Sequence, residues 1–213
     1  SEILNSYSFV TRINPTDYQS TGAHRYILKM GNNYFQINPA GGFEINSSGI
    51  AVGTNQGPAE QGVINNDFNN VVATFDNGFV SLYINGSLIV SDTMQVNPLD
   101  NVGIIGSAGG NSYLNAIIDD LAIYNIALNQ NQINDIINDG INSQDELLHA
   151  YWNFNENSGD ILYDISGNNF NGQIYGSPSS ILISDICCND AENDADGDGE
   201  CGDVDECPYD SDN

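Results

Sequence analysis

The chain has 213 residues, of which 40% are hydrophobic, and it carries 29 acidic side chains against three basic ones, for a net charge of −26 at pH 7. This charge excludes the protein classes that bind nucleic acid or anionic membranes through cationic patches. No run of about eighteen apolar residues is present, so the sequence predicts no membrane-spanning helix. The length suits one sizeable domain with an appendage. An acidic surface is well tolerated in a salty medium rich in divalent cations. Part of the negative charge is predicted to come from carboxylates that bind calcium.

The first part of the chain has the pattern of short strands separated by Gly and Asn turns. Runs rich in β-branched and aromatic residues recur about every ten residues, which is the spacing of a sandwich or a barrel. The predicted strands lie at 7–13, 25–29, 34–37, 43–45 and 50–52.

The segment 70–90 predicts a three-stranded meander. Asp76-Asn77-Gly78 and Asn85-Gly86 interrupt its apolar runs, and Asn and Gly accept the positive φ that tight hairpin turns demand. Two hairpins are therefore expected in this segment.

A further strand and one helix follow. The strand covers 114–125, where the acidic pair Asp119-Asp120 interrupts an apolar run. Asn129 then offers a helix cap. Isoleucines recur at helical spacing after it, at Ile133, Ile136, Ile137 and Ile141. We expect this helix to pack against the edge of the sandwich rather than to form a binding surface.

Two of these segments carry a family resemblance. Residues 71–90 and 117–128 resemble two hallmark strands of the laminin-G-like jelly rolls in the concanavalin A-like superfamily. The resemblance implies an all-β, two-sheet jelly-roll sandwich over residues 1–182, with one short edge helix. It says little about function, because this fold hosts sugar binders, adhesion modules, enzymes and spacers.

The order of the segments differs from that family. Residues 150–176 resemble the segment that normally opens such a domain, yet here they lie near the end. A sandwich without its opening strands would leave an exposed edge and a gap in the core. We therefore predict that residues 147–178 supply the missing first strands, in a circularly permuted arrangement. The alternative is that they complete a neighbouring copy by strand exchange.

The resemblance also implies a metal site in the body of the domain. In such jelly rolls an Asp-x-Ser-Gly-Asn loop, here Asp164 to Asn168, lies beside the Asp-Asp strand. Asp119, Asp120, Asp164 and Asn168 would together hold one structural calcium ion. The same loop is also a good turn without metal, through Asx side-chain hydrogen bonds.

The last segment, 185–213, holds twelve of the 29 acidic residues. Carboxylates at alternate positions followed by Gly can wrap oxygen ligands around Ca²⁺. The pattern resembles a thrombospondin type 3 repeat, which implies that Asp194, Asp196 and Asp198 are side-chain ligands. Glu200 would offer its backbone oxygen, and Asp205 would complete the first site. Asp203, Asp210 and Asp212 fit the next ion of a repeated array.

All four cysteines lie in this tail, at Cys187, Cys188, Cys201 and Cys207. Two disulfides are predicted, with the pairing of adjacent Cys187 and Cys188 disfavoured and the order of the others open. A zinc site would use two CxxC knuckles or nearby histidines, and the tail has neither. A disulfide-stapled tail requires an oxidising compartment, so a secreted or cell-surface location is expected.

Little in the sequence favours catalysis. The glycosidases of this superfamily carry a Glu-x-Asp-x-x-Glu strand, which this chain lacks. His24 and His149 have no nucleophile pattern beside them, and Trp152 is predicted to be a core residue rather than a sugar platform. The sequence thus predicts a non-enzymatic glycan-binding or adhesion module of a larger extracellular, bacterial surface protein, whose partner is a glycan or another surface protein. The alternatives are a structural spacer and an accessory domain of a polysaccharide-degrading enzyme.

Overall fold

The computed structural model describes residues 6–15, 24–53, 67–95, 103–107, 113–156, 158–176 and 178. The chain divides into two compact units, one formed by 1–155 with 162–172 and the other by 156–161 with 173–213. The sheets and the helix described below belong to the first unit, except for one residue of each of the last two strands.

A six-stranded antiparallel sheet forms one layer of this unit. In chain order its strands are β1 (Ser6–Pro15), β6 (Asn69–Asp76), β7 (Phe79–Ile84), β8 (Ser87–Thr93), β10 (Ala116–Tyr124) and β11 (Leu148–Trp152). Their spatial order is β11-β10-β1-β6-β7-β8. The strands β6, β7 and β8 are the predicted meander, and the turn residues Asn77 and Asn85 have φ of 47° and 50°. Both predicted hairpins are confirmed.

A five-stranded antiparallel sheet forms the other layer. Its strands are β2 (Arg25–Met30), β3 (Asn33–Ile37), β4 (Phe43–Ser47), β5 (Ile50–Gly53) and β9 (Gly103–Ile105). Their spatial order is β5-β4-β3-β2-β9. Two short strands, β12 (Ile161–Leu162) and β13 (Gly172–Gln173), form a separate two-stranded sheet.

Aromatic side chains fill the space between the two large sheets. Phe9 on β1 stacks on Phe35 of β3, with ring centroids 6.1 Å apart. Tyr7 and Phe75, from the neighbouring strands β1 and β6, stack at 4.3 Å and are both almost fully buried. The predicted all-β jelly-roll sandwich is confirmed, because each sheet contributes one apolar face to a shared core.

The single helix among the described residues, α1 (Gln130–Asp139), begins where the sequence predicted. Asn129 accepts hydrogen bonds from the backbone N–H groups of Asn131 and Gln132, and the Gln132 side chain accepts from the Asn129 N–H, which makes a capping box. The position of the helix differs from the prediction. Its buried Ile133 packs with Val10 and Val72, so the helix covers the outer face of the six-stranded sheet rather than an edge of the sandwich. The physical reason is that this outer face is itself apolar along its central strands and has to be covered.

The segment that resembles a family opening joins this sheet. Its strand β11 pairs antiparallel with β10 at the edge of the six-stranded sheet, with Leu121 opposite Trp152. Circular permutation itself, and the strand-exchange alternative, stay predictions. No helix within the described part of the chain has the length and apolar character needed to cross a membrane.

Candidate functional site

The outer face of the five-stranded sheet carries a cluster of aromatic and polar side chains. Strand alternation turns Phe35 and Ile37 of β3, and Phe43 and Ile45 of β4, into the core. The intervening residues therefore point to the opposite side. We call this surface the tyrosine face and define it by Tyr26, Tyr34, Gln36, Glu44 and Asn46, with His24 beside them.

Two tyrosines form the aromatic part of the tyrosine face. The rings of Tyr26 and Tyr34 lie 5.4 Å apart at a tilted angle, and both side chains are half-buried. Lys29 pairs directly with Tyr34 across the strands, and its Nζ lies 5.8 Å from the centre of that ring. Burial raises the pKa of Tyr26, and the nearby Tyr34 and Glu44 raise it further, so its hydroxyl remains a hydrogen-bond donor.

Glu44 supplies a buried carboxylate at the same place. Its side chain is 7% exposed, and His24 Nε2 lies 3.1 Å from its Oε1. Gln36 Nε2 donates a hydrogen bond to the same oxygen. Gly53 stands opposite Glu44 on β5, where a Cβ would lie 2.2 Å from the Glu44 Cβ, so only glycine allows this close approach. The arrangement fixes a carboxylate acceptor beside two aromatic rings.

The acidic pair Asp119-Asp120 forms a β-bulge on the other sheet. Arg12 of β1 pairs with Asp120, but the next residue, Ile13, pairs with Ile118, so Asp119 is the extra residue of β10. Arg12 forms an ion pair with Asp119, and its guanidinium carbon lies 4.4 Å above the centre of the Phe68 ring. The interruption seen in the sequence is thus a change of strand register that places both carboxylates opposite one arginine.

Asp120 is held by two hydroxyl groups. The Tyr151 hydroxyl donates a 2.6 Å hydrogen bond to its Oδ1, and the Thr11 hydroxyl donates to its backbone carbonyl at 2.7 Å. Burial raises the pKa of Asp120 and the charge of Asp119 adds to this, while Tyr151 and Arg12 oppose the rise. This carboxyl group therefore holds its proton more tightly than an exposed aspartate.

Asp164 organises the turn that follows β11. Its Oδ1 accepts 2.9 Å hydrogen bonds from the backbone N–H groups of Tyr151 and Ser166, and its Oδ2 accepts one from Phe170. Burial works against the charge of Asp164, but these hydrogen bonds outweigh it and lower the pKa of the group. Asn168 in the same turn donates to the carbonyls of Leu148 and His149, each at 3.1 Å.

The four residues of the predicted body calcium site are thus distributed over the bulge and the turn. Asp119 is paired with Arg12, Asp120 with Tyr151, and Asp164 with backbone amides. No group of three or more His, Cys, Asp or Glu side chains within the described ranges is placed to hold a metal ion. The body calcium site stays a prediction, and each of its residues has a protein partner that accounts for its position.

Of the remaining residues singled out in the sequence, Trp152 and His149 lie within the described residues and the tail positions do not. Trp152 is buried as expected, and its Nε1 donates a 3.0 Å hydrogen bond to the carbonyl of Phe170. His149 lies against the Phe170 ring, and burial lowers its pKa while Asp164 opposes the change. The tail positions from Asp194 to Asp212, and the four cysteines, lie outside the described residues.

Sequence reasoning missed the tyrosine face. A signal was present, because Tyr34-Phe35-Gln36-Ile37 and Phe43-Glu44-Ile45-Asn46 both alternate between apolar and polar or amphipathic residues. This alternation indicates one face turned away from the core. It does not show that the two strands pair in the register that sets Gln36 beside Glu44.

Comparison with known proteins agrees with this fold. The laminin G family model described as the concanavalin A-like lectin/glucanases superfamily matches residues 2–134. A comparison with curated proteins finds no match.

Three solved structures share the architecture. A proposed carbohydrate-binding protein from Bacteroides ovatus superimposes with a TM-score of 0.67 at 16% identity, covering 81% of this chain and 52% of that one. A receptor binding domain gives a TM-score of 0.53 at 17% identity, covering 66% and 36%. A structure of botulinum neurotoxin type C, whose cell entry depends on interaction with two ganglioside molecules, gives 0.50 at 18% identity, covering 66% and 37%.

The chain matches only part of each of these structures. The chain spans about half the length of the first structure and little more than a third of the other two. At these identities the likeness establishes the fold alone. With the family model covering well over half of the sequence, this chain belongs to the concanavalin A-like lectin/glucanases superfamily.

Proposed function

We propose that this protein is a non-catalytic, extracellular carbohydrate-binding module of a larger protein, and that the tyrosine face is its binding surface. The observation that carries the proposal is the pair Tyr26 and Tyr34 beside the buried carboxylate of Glu44. Membership of a superfamily that includes lectins supports it. The names of two structural neighbours, a proposed carbohydrate-binding protein and a neurotoxin that uses gangliosides, point the same way.

The chemistry of the tyrosine face suits a sugar. A pyranose ring has an apolar C–H face that packs on an aromatic ring, and hydroxyls that need fixed donors and acceptors. Glu44 is an acceptor held in place by Gln36, so it needs little reorganisation on binding. The Tyr26 hydroxyl adds a polar group to the cluster. The Oδ1 atom of Asn46 accepts a hydrogen bond from the Gly49 N–H, so its amide NH₂ is the group that Asn46 adds.

The same surface argues against glycoside hydrolysis. That reaction uses two carboxyl groups, one as acid and one as base or nucleophile, on either side of the scissile bond. Glu44 is the single acidic residue within the five strands of this sheet. Binding without chemistry is the function that this set of side chains supports.

A glycan array, followed by calorimetry on its hits, tests the proposal. The double variant Tyr26→Ala/Tyr34→Ala should weaken binding about tenfold or more, because it removes the aromatic platform. Phe79→Ala is the matched control, since Phe79 is an aromatic residue 60% exposed on the other sheet, and it should bind as the native protein does. Equal binding by the double variant would refute the role of the tyrosine face, and a silent array would favour the spacer alternative.

We also propose that residues 185–213 form a calcium-binding stalk stapled by two disulfides, which would stiffen the exit from the domain. The Asp194-x-Asp196-x-Asp198-Gly spacing and the four cysteines support it. Calorimetry on the full chain should detect several bound calcium ions, and Asp196→Ala should remove at least one. If millimolar calcium does not bind, the stalk assignment is wrong.

A further inference from the structure

A recess lies on the six-stranded sheet, between its outer face and α1. It has a volume of about 330 Å³. Its floor carries the polar side chains of Asp120, Arg12 and Asn70, and its wall carries Ile136, Ile137 and Ile141 from the end of the helix and the residues after it. We call it the bulge cleft, because the Asp119-Asp120 bulge forms one end of its floor.

Strand register places the three polar residues of the floor in one row. Arg12 on β1 lies directly opposite Asp120 on β10 and opposite Asn70 on β6. Neighbouring strands are about 4.8 Å apart, so the row brings a carboxylate, a guanidinium and an amide onto three adjacent strands. In this order they offer an acceptor, a donor and a group that does both.

The floor is held in position by its neighbours. Arg12 is fixed by its ion pair with Asp119 and by the Phe68 ring beneath its guanidinium. Asp120 is fixed through Oδ1 by the Tyr151 hydroxyl. A ligand would therefore meet polar groups that lose little freedom on binding.

Charge and volume limit the class of ligand. The charge of Arg12 is matched by Asp119, which leaves Asp120 as the surplus charge of the cleft, and the whole chain has a net charge of −26. An anionic ligand is disfavoured by both. A recess of this volume lies at the small end of the range for ligand pockets, which extends from about 300 to 1,000 Å³, so it suits a single small ring.

From the pairing of this polar row with an isoleucine wall, we propose that the bulge cleft binds one neutral 6-deoxyhexose residue. Its ring hydroxyls both donate and accept, as the row of Asp120, Arg12 and Asn70 requires. Its C6 methyl group packs against Ile136, Ile137 or Ile141, where the hydroxymethyl group of an ordinary hexose would have to bury a hydroxyl without a partner. The cleft is a separate site from the tyrosine face and does not depend on it.

Methyl NMR on isoleucine-labelled full-length protein tests the site. D-fucose and D-galactose are the probes, because they differ only in the C6 hydroxyl. The methyl signals of Ile136, Ile137 and Ile141 should shift on titration with D-fucose, which should bind about fourfold more tightly than D-galactose. The signal of Ile50, which is exposed on the five-stranded sheet, is the internal reference and should stay in place.

Variants separate the two parts of the cleft. Asp120→Asn replaces the charged acceptor at one end of the row with an amide, and Asn70→Ala removes the amide at the other end. Each should weaken D-fucose binding about fivefold or more. Ile141 lies just beyond the helix. Its replacement in Ile141→Ala should abolish the preference for D-fucose over D-galactose, while the protein still binds both sugars. Circular dichroism confirms that each variant is folded, and the two ends of the row provide independent tests.

Several results would overturn the proposal. They are isoleucine signals that do not shift with either sugar, equal affinity for both sugars, or shifts that only the cationic sugar D-glucosamine produces. The double variant Tyr26→Ala/Tyr34→Ala should leave the isoleucine shifts unchanged, and Asp120→Asn should leave the binding of array glycans that contain no 6-deoxyhexose unchanged. Failure of one site is therefore distinguishable from failure of the other.

Discussion

The two sheets of the sandwich share one core but differ in what they turn outward. On the six-stranded sheet the outward residues of the central strands include Val10, Val72 and Ala122, and α1 packs over them through Ile133. On the five-stranded sheet the outward positions of β3 and β4 hold Tyr34, Gln36, Glu44 and Asn46. The same two-residue alternation thus yields a face that stabilises the fold and a face that offers chemistry to a ligand.

This difference between the two outer faces assigns stability to one sheet and ligand recognition to the other. An apolar outer face gains free energy only when another element covers it, so it requires the helix. On the polar, aromatic outer face Gln36 and Glu44 are buried, but the rings of Tyr26 and Tyr34 stay partly exposed, so this face remains suited to binding. Substitutions on the two faces should therefore affect different measurements.

The largest expected effect comes from the helix contact on the six-stranded sheet. Ile133→Ala should lower the free energy of unfolding by about 2–5 kcal/mol, because it leaves a cavity under a fully buried side chain while keeping good helix propensity. Ile50→Ala on the five-stranded sheet removes the same atoms from a side chain that is 52% exposed, and it should cost less than about 1 kcal/mol. Urea denaturation of the two variants measures the difference, and equal losses would contradict the comparison.

A smaller loss is expected at the turn that ties the chain to β11. Asp164→Ala should cost about 2–3 kcal/mol, because the backbone N–H groups of Tyr151, Ser166 and Phe170 lose their acceptor. Asp164→Asn keeps one oxygen and should cost less. The pKa of Asp164 is lowered in the folded state, so its charge stabilises the fold above its ordinary value of 3.8, and this contribution is lost as the pH falls through the folded pKa.

Denaturation over a range of pH checks this sign. The gap in stability between the native protein and Asp164→Asn should be widest near neutral pH and should narrow on acidification below about pH 4. A gap that widens in acid would show that the carboxylate is not the form that the turn requires.

Much of the fold follows from local patterns in the sequence. The turns at Asn77 and Asn85 and the cap at Asn129 depend on residues close together in the chain, and all three are present where predicted. These signals are local because a tight turn and a helix cap each involve only a few consecutive residues.

The candidate sites depend on residues far apart in the chain, and this is why the sequence did not reveal them. Asp119-Asp120 was visible as an interruption, but it becomes a bulge only through the register of β10 against β1. Glu44 showed no catalytic motif, and its meaning comes from pairing with Gln36 on β3 and from His24 ahead of β2. The helix was predicted from its own periodicity, whereas its place on the sheet depends on which strands present Val10 and Val72 side by side.

The smallest effect on the free energy of unfolding is expected at Asp120, on the six-stranded sheet. This residue also gives the clearest contrast with its neighbour Asp164. Tyr151 contacts both Asp120 and Asp164, the first through its hydroxyl and the second through its backbone N–H. Burial raises the pKa of Asp120, so the folded state favours its proton; the stability that it contributes is present below 3.8 and is lost as the pH rises through the folded pKa. Asp120→Asn should therefore change the free energy of unfolding at neutral pH by no more than about 1 kcal/mol, and it should remove this pH dependence.

Carboxyl-group NMR titration measures the two neighbours directly. Asp120 should titrate above 3.8 and Asp164 below it, although one tyrosine joins them. Tyr151→Phe should raise the pKa of Asp120 further, since the hydroxyl that it removes stabilises the charged form, and it should leave Asp164 unchanged because the backbone N–H remains. If the pKa values of both carboxyl groups changed in Tyr151→Phe, the hydroxyl would be acting through the position of β11 rather than through its own hydrogen bond to Asp120.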